Sequence, residues 1–159
     1  MKRIVIGTDG SADAGVAVES ALELARGLGA AVTFVFARVV PSALLGQPYY
    51  QQELDAEMAR ARQVIHDALE QAAAAGVEAD SEILDSPPAD ALLAVADTHE
   101  ADLIVVGSRG LGAVHSAIFG SVSKALVTRS HRPVLVVKSP SAGEPKRNHA
   151  LVHDGAVLS

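Results

Sequence analysis

Four short runs of mostly branched apolar residues punctuate the chain: RIVIGTD (3–9), AVTFVFARVV (31–40), DLIVVG (102–107) and PVLVVK (133–138). A continuous apolar run of this length, bounded by glycine or proline, reads as a buried strand. A fifth stretch, VEADSEIL (77–84), alternates and reads as a half-exposed strand. Between these runs the apolar residues switch to three- and four-residue steps. Val18, Ala21, Leu22, Ala25 and Leu28 make one such stripe, and Leu54, Met58, Ala61, Ile65, Ala68 and Ala72 make a second. Leu92, Leu93, Val95 and Ala96 belong to a third helix, and a fourth is expected from about Ser121 to Ser130. Strands without a polar side must be covered on both faces, and strands alternating with helices do this as a parallel sheet between two helical layers.

Local signals set the boundaries. Ser11 or Asp13 is placed to cap the first helix at its start and Gly29 at its end. Residues 41–51, PSALLGQPYYQ, hold two prolines, a glycine and both tyrosines, and read as a loop. The second helix is expected from about Gln52 to Gly76. Its charged residues, among them Glu53, Asp55, Glu57, Arg60, Arg62 and Glu70, mostly fall off the apolar stripe and read as a solvated face. Pro87 and Pro88 suit the opening of the third helix. Residues 1–138 thus form one domain, and the tail from 139 to 159 has no sustained period and reads as flexible.

Composition removes several classes of function. At 159 residues and 49% hydrophobic, the chain suits a single well-buried core. A formal net charge of -6 argues against sequence-independent binding to nucleic acid, which needs a basic surface to displace counterions. Without cysteine there is no disulfide, thiolate metal site or thiol nucleophile. The opening MKRIVIGTDGS has only three apolar residues before Gly7, too few for a signal peptide, and no stretch approaches the roughly 18 apolar residues of a membrane span. The expectation is a soluble, cytoplasmic protein with no membrane partner.

The segment GSRGLGAVHSAIFGSVSK (107–124) joins the most apolar strand to the fourth helix and carries Gly107, Gly110, Gly112 and Gly120. Glycine is costly to order, so this density marks sharp turns or a backbone that something must approach closely. A glycine-rich turn ahead of a helix presents free N–H groups and the positive end of the helix dipole, which together suit an anion. The donors are the amides of Ser121, Val122 and Ser123, with the two serine hydroxyls as adaptable partners and Arg109 and Lys124 as charges if they turn inward. The spacing fits neither a Walker A loop nor a dinucleotide fingerprint, because Gly120 is followed by Ser121 and the glycines lack the G-x-G-x-x-G order.

The spacing that is present is Gly107, two residues, Gly110, nine residues, Gly120-Ser121. It resembles the nucleotide motif of the universal stress protein family in its ATP-binding branch, G-x2-G-x9-G followed by Ser or Thr. RIVIGTDGS, ADLIVVGSRG and SHRPVLVV agree with the same family, so the resemblance spans residues 2 to 138. It implies ATP as ligand, accompanied by magnesium, and a homodimer joined through the last strand, Pro133 to Lys138. It also implies a role in the stress response as a nucleotide-dependent signalling or regulatory module. The residues it places at the nucleotide are Thr8, Asp9, Val39, Gly107, Arg109, Gly110, Gly120, Ser121, Val122 and Ser123. The chain departs from the pattern at FARVV, where Arg38 stands in place of the usual histidine and Val39 is the matching valine.

A topological argument reaches the same place. The expected fold is α/β, a single-domain, Rossmann-like doubly wound sheet of five parallel strands in the order 3-2-1-4-5 with four helices. In such a sheet ligands sit beyond the carboxyl ends of the strands where the order reverses, here between strands one and four. Those strands end at Asp9 and Gly107, so an Asp9 carboxylate can meet a ribose hydroxyl or a metal while the next loop takes phosphates. The alternative stays open that Gly107 and Gly120 are only a strand end and a closely packed helix start, with Asp9 a helix cap. A nucleotide-free dimeric interaction scaffold of this fold would look so.

Other chemistry finds little support. The histidines at 66, 99, 115, 131, 149 and 153 form no metal-ligand spacing, and no G-x-S-x-G elbow activates Ser121. GTDGS (7–11) is only loosely similar to the loops of ATP pyrophosphatases and lacks their serine and paired glycines. With no general base evident beside the phosphates, the expectation is a binding protein and not an enzyme.

Overall fold

In β1 (Arg3–Gly7), Ile4 and Ile6 point to one layer and Val5 to the other, and all three are fully buried. This strand is the centre of the structure, a computed structural model that describes residues 1–38, 40, 44, 46–110 and 119–140. With β2 (Ala31–Ala37), β3 (Ala79–Leu84), β4 (Leu103–Gly107) and β5 (Val134–Val137) it forms one parallel sheet in the order β3-β2-β1-β4-β5. Ile4 pairs with Val32 on one side and Leu103 on the other, and Ile104 pairs with Val134. The expected five parallel strands, their order and the four helices are all present.

The two helical layers follow from the two side-chain sets of the strands. Helices α1 (Ala12–Leu28) and α2 (Tyr49–Ala74) bury Val18, Leu22, Ala61 and Ile65 against Ile4, Ile6, Phe34 and Phe36. Helices α3 (Pro88–Thr98) and α4 (Ser121–Arg129) bury Leu92, Val95 and Leu126 against Val5, Val35, Ile104 and Val106. At about 0.8 kcal/mol for each methylene removed from water, these two layers are the main favourable term of the fold.

Several boundaries differ from the sequence reading. Ser11, not Asp13, caps α1, its side chain accepting from the Ala14 N–H at 3.2 Å, and Gly29 closes the helix in the left-handed conformation. β1 ends at Gly7 and β2 at Ala37, earlier than Asp9 and Val40, and β3 begins at Ala79. Beyond Gly7 the chain leaves the sheet, and Thr8 and Asp9 line the space above it. Tyr49, Tyr50 and Gln51, expected in a loop, form the first turn of α2 directly after Pro48. The glycine and prolines marked a break, but proline immediately before a helix start interrupts nothing. The expected loop's residues 41–43 and 45, and the tail from 141, lie outside the described residues.

Candidate functional site

The carboxyl ends of β1 and β4 open into a cavity of about 500 Å³ at the point where the strand order reverses. Two glycines make that junction possible. A Cβ on Gly107 would lie 2.8 Å from the Asp13 carbonyl carbon and 3.0 Å from the Ala14 nitrogen, so β4 can end against the first turn of α1 only without a side chain. A Cβ on Gly110 would lie 2.7 Å from Asp9 Oδ2, so the Asp9 carboxylate rests against the backbone of the glycine segment. The ends of β1 and β4, far apart in sequence, are thereby joined. Asp9 Oδ1 also accepts from the Ser11 N–H at 2.9 Å, a local turn that fixes the carboxylate.

Opposite Asp9 stands the start of α4. The Gly120 N–H donates to the Ser108 carbonyl at 2.7 Å, and the Gly120 carbonyl accepts from the Lys124 N–H at 3.1 Å. The amides of Ser121, Val122 and Ser123 precede the first intrahelical donor and are left over by the helix. No side chain among the described residues caps this end. All three residues line the cavity, as do Thr8, Asp9, Gly107, Arg109, Gly110 and Gly120. Away from these polar groups the wall is apolar, formed by Val35, Ala37, Pro88, Leu92, Val106 and Phe119. Val39 lies outside the described residues, as do Gly112 and His115.

The side chains differ from the expectation in three ways. The Ser123 hydroxyl is not an adaptable donor toward the cavity: it lies within 3.0 Å of the Gly120 carbonyl and 3.2 Å of the Ser108 carbonyl and serves the helix start. Lys124 is exposed and outside the lining. Arg109 does line the cavity, but its Nε faces Asp13 Oδ2 at 3.4 Å.

From the sequence Asp13 reads only as a helix cap. Its carboxylate accepts from the Ser108 hydroxyl at 3.0 Å, and its side chain keeps 12% exposure. The neighbouring Ser139 hydroxyl, then Ser108 and the Arg109 charge, hold the Asp13 carboxyl below its ordinary value against the opposing effect of burial. Ser139 Oγ is buried without a bond of good geometry, so its effect is that of a hydroxyl dipole nearby.

Two further residues come from the helix face read as solvated. Glu57 and Arg60 line the cavity from α2. Arg60 pairs with Glu57 at 3.0 Å, donates through Nη2 to the Asp9 carbonyl and lies 5.4 Å from the centre of the Phe36 ring. Gly10 turns beneath it at φ 79°, where a Cβ would meet Val64 at 2.8 Å. The face carrying 57, 60 and 64 thus holds the β1–α1 loop. The spacing of Glu57 and Arg60 matched a helical face but gave no sign of what it faced. Arg38, in the place of the usual histidine, turns to Asp85 with both Nε and Nη2 at 2.5 Å and ties the end of β2 to that of β3. That bond holds the Asp85 carboxyl below its usual range.

These features define a doubly wound α/β domain with helix-start amides and an apolar slot sharing one cavity at its switch point. A family model described as the universal stress protein family matches residues 1–138. The universal stress protein encoded in the QAH/OAS sulfhydrylase 3' region of Thermus aquaticus is 38% identical over 138 residues, covering 86% of this chain and 98% of that protein. Among solved structures, universal stress protein UspA from Lactobacillus plantarum superimposes with a TM-score of 0.77 at 26% identity, covering 86% of this chain and 97% of that one. A universal stress protein solved in complex with cAMP matches at a TM-score of 0.67 and 30% identity, covering 86% of this chain and 96% of that one. The chain belongs to the universal stress protein family. No helix among the described residues is long and apolar enough to cross a membrane.

Proposed function

We propose that this protein binds an adenine nucleotide, ATP above all, at the β1–β4 switch point and acts in the cytoplasm as a nucleotide-dependent regulatory module of the stress response. One observation carries the reading: three leftover amides of α4 and an apolar slot open into the same 500 Å³ cavity. Amides at a helix start favour phosphate oxygens, and a slot walled by Val35, Leu92 and Val106 accepts a flat base. Asp9, held against Gly110, is placed to accept from a ribose hydroxyl between the two. The relative solved with cAMP, at 30% identity, supports the same class of ligand.

Magnesium is proposed to travel with the triphosphate, whose oxygens are hard ligands for it. Binding without rapid turnover is proposed because Glu57 is paired with Arg60 and Asp13 with Arg109, which leaves neither poised to take a proton from water. Homodimerisation is proposed through β5, an edge strand whose Leu135 is 38% exposed.

Isothermal titration with ATP tests the central claim. Measurable heat and a thermal shift are expected, and neither appearing at millimolar ATP would overturn it in favour of a nucleotide-free scaffold. Phosphate release at about one per second or faster would instead make the protein an ATP-consuming enzyme.

A further inference from the structure

Every cation that lines the cavity among the described residues already faces an acid. Arg60 is paired with Glu57 at 3.0 Å, and Arg109 faces Asp13 at 3.4 Å. Lys124 lies outside the lining, and residues 111–118 of the glycine segment, LGAVHSAI, contain no lysine or arginine. The charged side chains that line the cavity, Asp9, Glu57, Arg60 and Arg109, cancel formally, and Asp13 behind Arg109 adds one negative charge. Among the described residues the attraction for phosphate therefore rests on the α4 amides, which act on the few oxygens they touch. A site with a free cation would gain affinity with each added phosphate. This one would gain much less.

Asp13 is the acid that sets this balance. It sits in the first turn of α1, and the close approach of Gly107 to its main chain fixes that turn under the end of β4. Its Oδ2 receives both the Ser108 hydroxyl and the Arg109 Nε, so the Arg109 guanidinium is held on the α1 side of the glycine segment. Asp13 is absent from the cavity lining, so it acts through Arg109 and not by touching a ligand.

We propose that Asp13 is a specificity-determining residue that restrains Arg109 and so compresses the difference in affinity between nucleoside tri- and monophosphates. The inference rests on the nucleotide reading of the cavity. Its consequence is a site that responds to the ratio of such ligands and not simply to the most highly charged one.

The experiment is titration of ATP and AMP, at low salt and without magnesium, into the wild type, Asp13→Asn, Arg109→Gln and the double variant. Asparagine keeps the size of the side chain and an acceptor for Ser108 but gives up the charge. In Asp13→Asn the affinity for ATP should rise about tenfold and that for AMP about threefold or less, because the released charge acts on more phosphate oxygens. In the Arg109→Gln background most of the ATP-selective gain should disappear, and Asp13→Glu should keep the wild-type ratio.

If Asp13→Asn does not fold, Asp13→Ser carries the same expectation. An unchanged or smaller ATP-to-AMP ratio in the neutral variant overturns the proposal, as does a gain that survives intact without Arg109. A wild type that binds neither nucleotide, with magnesium or without it, overturns the nucleotide reading itself, a result these two outcomes cannot mimic.

Discussion

The two ends of the sheet treat their hydrogen bonds in opposite ways. At the amino end the side chains close on one another. Asp102 accepts from the Lys2 and Arg3 amides at 2.6 and 3.1 Å, and Arg3 reaches from β1 to the buried Thr33 of β2 at 2.7 Å and on to Asp80 of β3 at 2.9 Å. At the carboxyl end the polar side chains mostly hold the backbone in place, while the start of α4 keeps amides that no side chain among the described residues caps. The difference teaches that a parallel sheet of this kind separates its duties by end: one is sealed for stability, the other is shaped around groups left over.

The strongest way to break this contrast is Gly107→Val. Its Cβ would meet the main chain of α1 at 2.8 Å, which cannot yield as a side-chain tip can. A loss of more than about 4 kcal/mol is expected, read as failure to fold or a collapsed denaturation midpoint. Full stability would show that α1 can move from the strand end.

Gly120→Val separates binding from folding at the same end. A Cβ there stands 3.4 Å from the Ser108 carbonyl and 3.5 Å from Arg109 Cα, an ordinary contact, while the rest of the side chain enters the space before the amides. ATP affinity should fall by about 100-fold or more, with the apo thermal midpoint moving by no more than about 2–4 °C. Retained affinity in calorimetry would put the ligand elsewhere.

At the sealed end, Thr33→Val removes the acceptor for Arg3 from the core. About 1 kcal/mol of stability should go, or about 2–4 °C in midpoint, with ATP affinity unaltered. A change in affinity would mean the ends are coupled.

The smallest effect is acid sensitivity shared by both ends. Asp102 is lowered chiefly by the Lys2 and Arg3 amides, Asp85 by Arg38, and Asp13 by Ser139, Ser108 and Arg109. A depressed carboxyl pKa in the folded state contributes stability above the unfolded value and loses it as pH falls through the folded value. Chemical denaturation should thus show stability flat near neutrality and declining below about pH 4. Asp102→Asn should flatten that decline, and an unchanged acid limb would remove Asp102 as a contributor.

The sheet was legible because its information is local: runs such as IVIG and LIVVG name their own environment, and their alternation with helices restricts the topology. The α4 amides were legible for the same reason, since a glycine before a helix start is a short-range pattern. Glu57, Arg60 and Asp13 were not. Their meaning lies in partners such as the Asp9 carbonyl, 51 positions from Arg60, and Ser108, 95 positions from Asp13. A charge on a helix reads as solvated until the fold shows what stands opposite. Gly107 was legible as a necessity but not for its reason, which is the main chain of α1 and not the ligand.

The bond from the Gly120 amide to the Ser108 carbonyl fastens the two feet of the intervening segment to each other. Ser108 is itself moored, its own amide on Val137 and its hydroxyl on Asp13. With Arg109 and Gly110 kept beside the first foot, lengthening a closed loop costs only about 0.6 kcal/mol per doubling. Evolution, or a designer, is therefore free to alter the number of residues between positions 111 and 118 while the grip below keeps its shape.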